Sequence, residues 1–172
     1  IEASTGSLGH GLSLGTGMAL AFKADGTAQR VFVLLGDGEC EEGSVWEAIM
    51  SAAKYGLDNL IIIVDNNHIQ KMNSLEKVMG IADWQQRFEA FGLDCVRTDG
   101  HDVDAVAAAV SGLRANGKPH VIIAETVKGK GVSIMENNPA WHWRMPNRRE
   151  MKVFMRELNI TEEELEQCRK HI

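Results

Sequence analysis

The sequence predicts an α/β protein built on a three-layer, doubly wound and mostly parallel sheet. Four short runs of aliphatic and β-branched residues have the length and composition of strands that are buried on both faces. A segment with helical spacing separates each run from the next, and this alternation is typical of parallel strands joined by crossover helices. The runs are residues 31–35, 60–64, 93–97 and 120–126.

Three helices are expected between the four strands. Residues 45–55 carry apolar side chains at helical spacing and are followed by Gly56, which is suited to end a helix. The second helix is expected over residues 81–91, and the third spans residues 102–115 with Asp102 as its N-cap. Each helix is long enough to return the chain to the start of a neighbouring parallel strand.

A glycine-rich helix is predicted before the first strand, over residues 8–23. Each glycine inside a helix costs about 1 kcal/mol relative to alanine, so close packing must compensate. The helix is expected to press against the sheet or a partner subunit, or to contact a ligand directly, and both roles can hold together.

Two segments whose apolar residues follow neither helical nor strand spacing are expected to be functional loops. Residues 70–78 are polar and turn-like, and they follow a strand end, so we expect them to form a loop over the site. The aromatic residues 141–143 lie between Pro139 and Pro146, a composition typical of a lid or an interface.

The chain is expected to end in two helices. One is predicted over residues 147–158, and Thr161 with Glu164 forms a capping box for the last. We therefore expect residues 1–143 to form one ligand-binding domain and residues 144–172 to form a helical extension of it.

The amino-acid composition limits the classes of protein to which this chain can belong. With 172 residues, 44% of them hydrophobic, the chain fits a single domain with a sizeable core. The net charge of -6 comes without a basic stripe, which excludes a nucleic-acid surface, and no apolar run approaches the roughly 20 residues of a membrane span. No signal peptide is evident. Three cysteines without metal-ligand spacing predict reduced thiols and a cytoplasmic location.

Polar motifs end the first two predicted strands. Gly36-Asp37-Gly38 follows one and Asn66-Asn67 follows the other. Because the carboxyl ends of parallel strands form the ligand-binding edge of an open sheet, these motifs are expected to meet there. Mg²⁺ prefers about six oxygen ligands from carboxylates, neutral oxygens, water and phosphates. The metal ligands predicted are Asp37, Asn67 and the backbone carbonyl of Ile69.

The glycines around Asp37 indicate the second ligand of this site. Gly36 and Gly38 let phosphate oxygens approach the main chain, and the following helix points its N-terminal amides at the same place. The arrangement is suited to hold a diphosphate through a metal ion.

Five motifs together resemble the transketolases, thiamine-diphosphate enzymes, and most closely the N-terminal half of two-gene transketolases. The resemblance runs from Thr5 to about Trp143. One motif would be weak evidence, whereas five in the family order are specific. They are Gly6-Ser7-Leu8-Gly9-His10-Gly11, Gly36-Asp37-Gly38 with Glu42-Gly43, Asp65-Asn66-Asn67-His68-Ile69, Asp99-Gly100-His101-Asp102, and Lys128-Gly129-Lys130-Gly131 followed by Glu136-Asn137-Asn138 and Trp141-His142.

The resemblance implies thiamine diphosphate and Mg²⁺ (or Ca²⁺ or Mn²⁺) as cofactors, and it implies site residues. His142 matches a family histidine near the diphosphate and the donor sugar, and Glu42 matches a glutamate of a proton network between paired active sites. Glu39 is also assigned to the cofactor, although such a glutamate more often begins a helical turn. The cofactor-binding residues implied are Gly6, Leu8, His10, Gly36, Asp37, Gly38, Glu39, Asn67, Ile69 and His142.

The resemblance also implies an activity and partners. It implies transfer of a two-carbon ketol unit from a ketose to an aldose, with sugars or sugar phosphates as substrates. The pyrimidine-binding domain and its catalytic glutamate have no match here, so we expect a C-terminal partner subunit, inactivity without it, and a homodimer or heterotetramer. The fold is expected to be truncated at its N-terminus. Alternatives are a 1-deoxyxylulose-phosphate synthase or dihydroxyacetone synthase type of enzyme, or a non-catalytic diphosphate-binding relative.

Overall fold

The computed structural model describes residues 1–71, 73–80 and 83–169. Its centre is a four-stranded sheet in which every neighbouring pair is parallel, in the order β1-β2-β6-β5. A second pair of two-residue strands, β3 and β4, is antiparallel. The strands are β1 (Val31–Gly36), β2 (Leu60–Asn66), β3 (Ile69–Gln70), β4 (Asn73–Ser74), β5 (Asp94–Asp99) and β6 (His120–Glu125).

Seven α-helices occur in the part of the chain that the structure describes. They are α1 (His10–Ala24), α2 (Gly43–Lys54), α3 (Leu75–Val78), α4 (Trp84–Ala90), α5 (Val103–Gly112), α6 (Arg148–Glu157) and α7 (Glu162–Arg169). From β1 to β2 to β5 the chain moves across the sheet in one direction, and from β5 to β6 it moves back. Because parallel crossovers are right-handed, the reversal places α5 opposite α2 and α4. The predicted doubly wound, three-layer fold is confirmed.

The main core lies on one face of the sheet, under α1, α2 and α4. Alternate residues of β1 and β2 point into it together with Val121 and Ile123 of β6. From the helices, Leu12, Ile49 and Phe88 are fully buried in the same cluster. The opposite face is covered less evenly, since Leu34 of β1 is 70% exposed. No helix within the described residues has the length and apolar character of a membrane span.

Most predicted elements are found, with boundaries that move by a few residues. The strand predicted at 60–64 continues to Asn66, and the one at 93–97 continues to Asp99. The helix predicted over 102–115 ends at Gly112, because Leu113 adopts an extended conformation. The N-terminal part of the helix predicted over 81–91 falls on residues 81 and 82, which lie outside the described residues.

The prediction of a plain loop over residues 70–78 is wrong. The chain forms the β3–β4 hairpin and then the single turn of α3. Leu75 at the start of α3 is 3% exposed, so one apolar side chain anchors a segment that otherwise looks polar.

The predicted helix ends are confirmed where side chains cap them. The Asp102 side chain accepts hydrogen bonds from the N–H groups of Asp104 and Ala105 at the start of α5. At the start of α7, the N–H of Glu164 donates to Thr161 Oγ1 and the N–H of Thr161 donates to Glu164 Oε2. Gly56, with φ of 57°, follows α2 as predicted.

Candidate functional site

The two predicted polar motifs meet at the carboxyl edge of the sheet. β1 and β2 pair in a register that places Gly36 beside Asp65. The N–H of Asp37 donates to the carbonyl of Asp65 at 3.1 Å, and the N–H of His68 donates to Asp37 Oδ2 at 2.6 Å. The loop that carries Asn67 is therefore attached to the Asp37 carboxylate. The expected convergence of the two strand ends is confirmed.

Asp37 is a buried carboxylate whose charge is only partly compensated. It is 2% exposed, and burial is the main reason why its pKa is raised. The N–H groups of Gly38 and His68 oppose this shift, while the nearby charge of Asp65 adds to it. A buried carboxylate held mainly by two backbone donors is suited to bind a metal ion, because the ion would supply positive charge that backbone groups do not.

Asn67 and Ile69 flank His68 in a short turn after β2. The N–H of Ile69 donates to Asn67 Oδ1 at 3.0 Å, which fixes the amide of Asn67 relative to the backbone. His68 between them has φ of 61°, a left-handed conformation that few non-glycine residues adopt. The turn brings the two predicted metal ligands next to the residue that contacts Asp37.

Glu39 holds the first glycine motif against the end of β1. Its Oε1 accepts from the N–H of Gly9 at 2.9 Å, and its Oε2 accepts from the N–H of Gly36 at 3.1 Å. Gly9 has φ of 78°, and a Cβ there would lie 2.4 Å from Ser44 Oγ. Only glycine fits this junction of three segments, which brings the first motif to the same edge as Asp37.

The other residues predicted in the first motif lie beside that junction. Gly6 has an open surface, with nothing within 4 Å of the place where a Cβ would stand. Leu8 is 51% exposed, and His10 begins α1 with its Nδ1 3.1 Å from the carbonyl oxygen of Leu8. These residues form an accessible rim, and their contact with a cofactor stays a prediction.

Gly38 is closely covered by a residue of the β3–β4 hairpin. A Cβ on Gly38 would come within 2.8 Å of Gln70 Cγ. The hairpin therefore lies over the Gly36-Asp37-Gly38 turn, as expected for a segment above the site. Gln70 Oε1 is buried and has no hydrogen-bond partner among the described residues.

His142 and Glu42, the two residues predicted to be catalytic, are both exposed. Glu42 is the N-cap of α2, one turn after the Asp37 motif. His142 ends a 3₁₀ helix, Pro139–His142, whose start is capped by the Asn138 side chain. Its neighbour Trp141 is 8% exposed and donates from Nε1 to the carbonyl of Ile134 at 2.7 Å. The loop is thus anchored by Trp141, while the His142 ring stays exposed.

One network at the same edge was not predicted from the sequence. Glu125, the last residue of β6, accepts from Asn66 Nδ2 at 2.9 Å, and its Oε2 lies 2.9 Å from His68 Nε2. It also forms an ion pair with Arg97 of β5, which contacts Asp83 as well. The available signal was that β6 also ends in a charged residue, but its position beside β2 cannot be read from spacing alone.

A cavity of about 670 Å³ opens next to this network. It lies at the carboxyl ends of β5 and β6. His101 lines it, and its Nε2 accepts a hydrogen bond from the N–H of Val127 at 2.7 Å, which leaves the proton of a neutral ring on Nδ1. The remaining lining residues are Arg97, Thr98, Asp99, Glu125, Thr126, Val127 and Lys130.

Two of the three cysteines, Cys40 and Cys95, are not reactive groups. Cys40 is fully buried, and burial raises its thiol pKa far above the ordinary value. For Cys95, burial raises the pKa to about 12. Both thiols are free and stay protonated at neutral pH.

The residues present fit the predicted metal and diphosphate. The side-chain amide Oδ1 of Asn66 is buried without a hydrogen-bond partner among the described residues, as expected at a site that a ligand or water completes. No group of three or more histidine, cysteine or acidic side chains with metal-binding geometry occurs within the described ranges. The donors present are one buried carboxylate, amides and carbonyls, which suit Mg²⁺ with phosphate oxygens.

The family model described as "Transketolase, thiamine diphosphate binding domain" matches residues 1–166. Two curated proteins, each named as a subunit of apulose-4-phosphate transketolase, are similar to this chain. The one from Actinobacillus succinogenes is 42% identical over 158 residues, which cover 92% of this chain and 57% of that protein. The one from Phocaeicola vulgatus is 41% identical over 167 residues, which cover 96% of this chain and 59% of that protein. The chain thus spans a little over half the length of these relatives.

Another similar protein is the 6-deoxy-6-sulfo-D-fructose transketolase subunit SqwG from a Clostridium species. It is 39% identical over 143 residues, which cover 83% of this chain and 52% of that protein. Among solved structures, transketolase from Campylobacter jejuni superposes with a TM-score of 0.83 at 29% identity. That superposition covers 92% of this chain and 26% of the other.

Proposed function

This chain belongs to the transketolase family, as its thiamine diphosphate binding domain, and from that premise we propose that it is the diphosphate- and metal-binding component of an enzyme that transfers a two-carbon ketol unit from a ketose to an aldose. The observation that carries the proposal is the 2.6 Å hydrogen bond from the N–H of His68 to Asp37, which assembles both motifs of the metal site from strands distant in sequence. The proposed metal is Mg²⁺.

The residues proposed to hold the metal diphosphate lie at the ends of β1 and β2. Asp37 supplies the negative charge, and Asn67 and the carbonyl of Ile69 supply neutral oxygens. The glycines on either side of Asp37 allow phosphate oxygens to approach the backbone. When bound there, thiamine diphosphate supplies the electron sink for breaking and forming the carbon–carbon bond, and the protein groups fix its orientation.

Gly6, Leu8 and His10 are proposed to contact the same cofactor from the rim that Glu39 holds in place. The support for this is the pair of hydrogen bonds that tie the Gly9 backbone and the end of β1 to one carboxylate. Glu39 itself is proposed to act by holding that rim, because backbone N–H groups already occupy both of its oxygens.

His142 and Glu42 are proposed to act at a surface shared with another subunit. His142 would orient the hydroxyl groups of the donor sugar through its exposed ring, and Glu42 would take part in a proton network between sites. Both side chains are exposed, as residues that face a partner are in the separated protein.

A separate partner subunit is proposed to complete the enzyme. The names of three relatives describe each of them as one subunit of a transketolase. The partner would be a C-terminal transketolase subunit that binds the pyrimidine ring of the cofactor, in a homodimer or heterotetramer of such pairs. The proposed substrates are sugars or sugar phosphates, in keeping with the substrates that appear in those names.

Residues 144–172 are proposed to be an extension of the same domain. The N–H of Ser133 donates to Glu157 of α6 at 2.7 Å, and the rings of Trp141 and Phe154 lie 5.3 Å apart. These contacts attach α6 to the loop that carries His142. The free, unreactive cysteines Cys40 and Cys95 favour a reducing compartment, and we propose the cytoplasm.

The test is reconstitution. Donor-dependent ketol transfer is measured with only the full-length protein, with only the C-terminal partner subunit, and with the purified complex, each with excess thiamine diphosphate and Mg²⁺. We expect transfer only from the complex. Transfer by this protein on its own would contradict the need for a partner. No transfer from a complex that binds the cofactor would favour a non-catalytic diphosphate-binding relative.

A further inference from the structure

Four polar side chains form a row across the carboxyl edge of the sheet, one from each main strand or its end. Asp37, Asn66, Glu125 and Arg97 follow the strand order β1-β2-β6-β5. Asn66, Glu125 and Arg97 each stand two residues after a side chain that points to the main core, so these three lie on the same face of the sheet, and Asp37 follows Leu35 in the turn after β1. These preceding residues are Leu35, Val64, Ile123 and Cys95.

Glu125 is the centre of this row. Its Oε1 accepts from Asn66 Nδ2 at 2.9 Å and from Arg97, and its Oε2 lies 2.9 Å from His68 Nε2. Partial burial alone would raise the Glu125 pKa, but the hydrogen bonds from Asn66 and His68 and the charge of Arg97 lower it. The carboxylate therefore stays ionised and can accept from three donors at once, two at the end of β2 and one on β5.

These contacts reach the candidate metal site through the backbone. The ring of His68 is held by Glu125, while the N–H of the same residue donates to Asp37. His68 has φ of 61°, which a non-glycine residue keeps only when its surroundings hold it there. Asn67 lies between Asn66 and His68, both of which contact the Glu125 carboxylate.

We propose that Glu125 is a positioning residue for the metal site. By holding the side chains of Asn66 and His68, it fixes the turn that presents Asn67 and Ile69 and keeps the His68 N–H on Asp37. Arg97 neutralises the carboxylate and keeps it at the sheet edge. This inference rests on the proposed function, since it concerns how these residues bind the metal ion.

The distinguishing measurement is selectivity between two metal ions. Mg²⁺ requires near-octahedral ligands at roughly 2.0 to 2.1 Å, whereas Ca²⁺ accepts irregular shells at longer distances. A turn that loses its support should therefore bind Mg²⁺ much less well and Ca²⁺ only slightly less well. A general loss of folded protein would lower both affinities by the same factor.

The experiment uses the full-length protein in complex with its partner subunit. Calorimetric titration with Mg²⁺ and with Ca²⁺, at saturating thiamine diphosphate, compares wild type with Glu125→Ala. We expect the Mg²⁺ affinity to fall about ten- to hundredfold, the range found when outer-shell partners of metal ligands are removed. The ratio of Ca²⁺ to Mg²⁺ affinity should rise at least severalfold.

Two further variants keep the result interpretable. Asp94→Ala removes a comparable carboxylate from the opposite, amino end of β5, where it pairs with Lys118 at 3.5 Å and contacts Asn116. It should cost similar stability and leave both metal affinities unchanged. Glu125→Gln keeps an acceptor for Asn66 and a polar group for His68, so it should retain most of the Mg²⁺ affinity, and it also serves if the alanine variant fails to fold.

The outcomes separate this inference from the function on which it rests. Equal affinities in wild type and Glu125→Ala, or an equal fall for Mg²⁺ and Ca²⁺ that Asp94→Ala reproduces, would overturn the positioning role and leave the proposed function standing. Absence of metal-dependent thiamine diphosphate binding in wild type would overturn the proposed function and this inference with it.

Discussion

The carboxylate of Glu39 accepts a hydrogen bond from the N–H of Gly9 at 2.9 Å, although thirty residues separate the two in sequence. The same carboxylate also accepts from Gly36 at 3.1 Å. One side chain thus joins the glycine motif before α1 to the turn that carries Asp37. A glutamate next to Asp37 could be read as a ligand, but here it organises the backbone around the site.

Replacement of Glu39 by alanine should weaken cofactor binding indirectly. The variant loses two hydrogen bonds to a charged acceptor, which are worth about 1.5 to 3 kcal/mol each in favourable cases, and leaves two backbone N–H groups without a partner. We expect a lower melting temperature and a weaker affinity for thiamine diphosphate at saturating Mg²⁺, measured by thermal unfolding and calorimetry. An unchanged affinity together with a lower melting temperature would limit Glu39 to folding.

Two glycines of α1 provide a matched test of close packing. A Cβ on Gly15 would lie 2.3 Å from Val33 Cγ2 of β1, whereas nothing lies within 4 Å of the same position on Gly17. Gly15→Ala should destabilise the fold by about 1 to 3 kcal/mol through overpacking. Gly17→Ala should be neutral in the isolated protein or stabilise it by up to about 1 kcal/mol, because alanine favours the helix.

Chemical denaturation of both variants measures this difference directly. A loss of stability in Gly17→Ala equal to that in Gly15→Ala would contradict the packing explanation for the glycine-rich helix. If Gly17→Ala is stable but fails to assemble with the partner subunit, the exposed side of α1 is required for assembly.

The interaction of Lys23 with Asp58 predicts a pH dependence of stability. Lys23 Nζ lies 2.8 Å from Asp58 Oδ1, and the N–H of Gly117 donates to Oδ2 at 3.0 Å. The hydrogen bond from Lys23 is the main reason why the Asp58 pKa is lowered, and the Gly117 N–H lowers it further. The unfolded state therefore binds the proton of the Asp58 carboxyl more tightly than the folded state does. The ionised carboxylate stabilises the fold at pH values above the unfolded pKa of Asp58, and this stabilisation is lost as the pH falls through the folded pKa.

Asp58→Asn should therefore be less stable than wild type at pH 7, and the difference should shrink as the pH falls below the ordinary aspartate range of about 4. Unfolding free energies measured between pH 7 and pH 3 provide the check. A difference that does not change with pH would show that the charge of Asp58 is not what stabilises this junction.

The features that could be predicted from the sequence are those that depend on a local pattern of residues. The apolar runs before Asp37 and Asn66 are continuous, and a helix of the right length lies between them, so the meeting of the two motifs could be predicted from spacing. The starts of α5 and α7 followed from the capping side chains of Asp102 and Thr161. Each of these features depends on residues close together in the chain.

The features that were missed depend on strand order and on single buried side chains. Glu125 meets Asn66 only because β6 inserts between β2 and β5, an order that periodicity does not reveal. The turn of α3 is held by one buried leucine, Leu75, within a segment of polar composition. The role of Glu39 depends on a loop thirty residues upstream, whose approach follows from packing rather than from a local pattern.

Asp37 and Asn67 should differ in their effects on metal-dependent binding. Asp37→Ala removes the only anionic metal ligand proposed and should abolish Mg²⁺-dependent binding of thiamine diphosphate. Asn67→Ala removes one neutral oxygen and should weaken binding less. Calorimetry on the complex with the partner subunit measures both, and Lys54→Ala, at the far end of α2, is a suitable surface control. An unchanged affinity in Asp37→Ala would remove the basis of the proposed site.

The last prediction concerns His142, whose ring is exposed at the end of an anchored 3₁₀ helix. If the imidazole contacts the donor sugar or developing charge, His142→Ala should lower turnover by about a hundredfold or more while the affinity for thiamine diphosphate changes little. Steady-state rates at saturating cofactor, with cofactor affinity measured separately, distinguish the two effects. Met145→Ala is the matched control, because Met145 lies in the same segment, is 83% exposed and has no proposed role. Rates for His142→Ala within a few-fold of wild type would assign the residue to packing of the loop and not to the reaction.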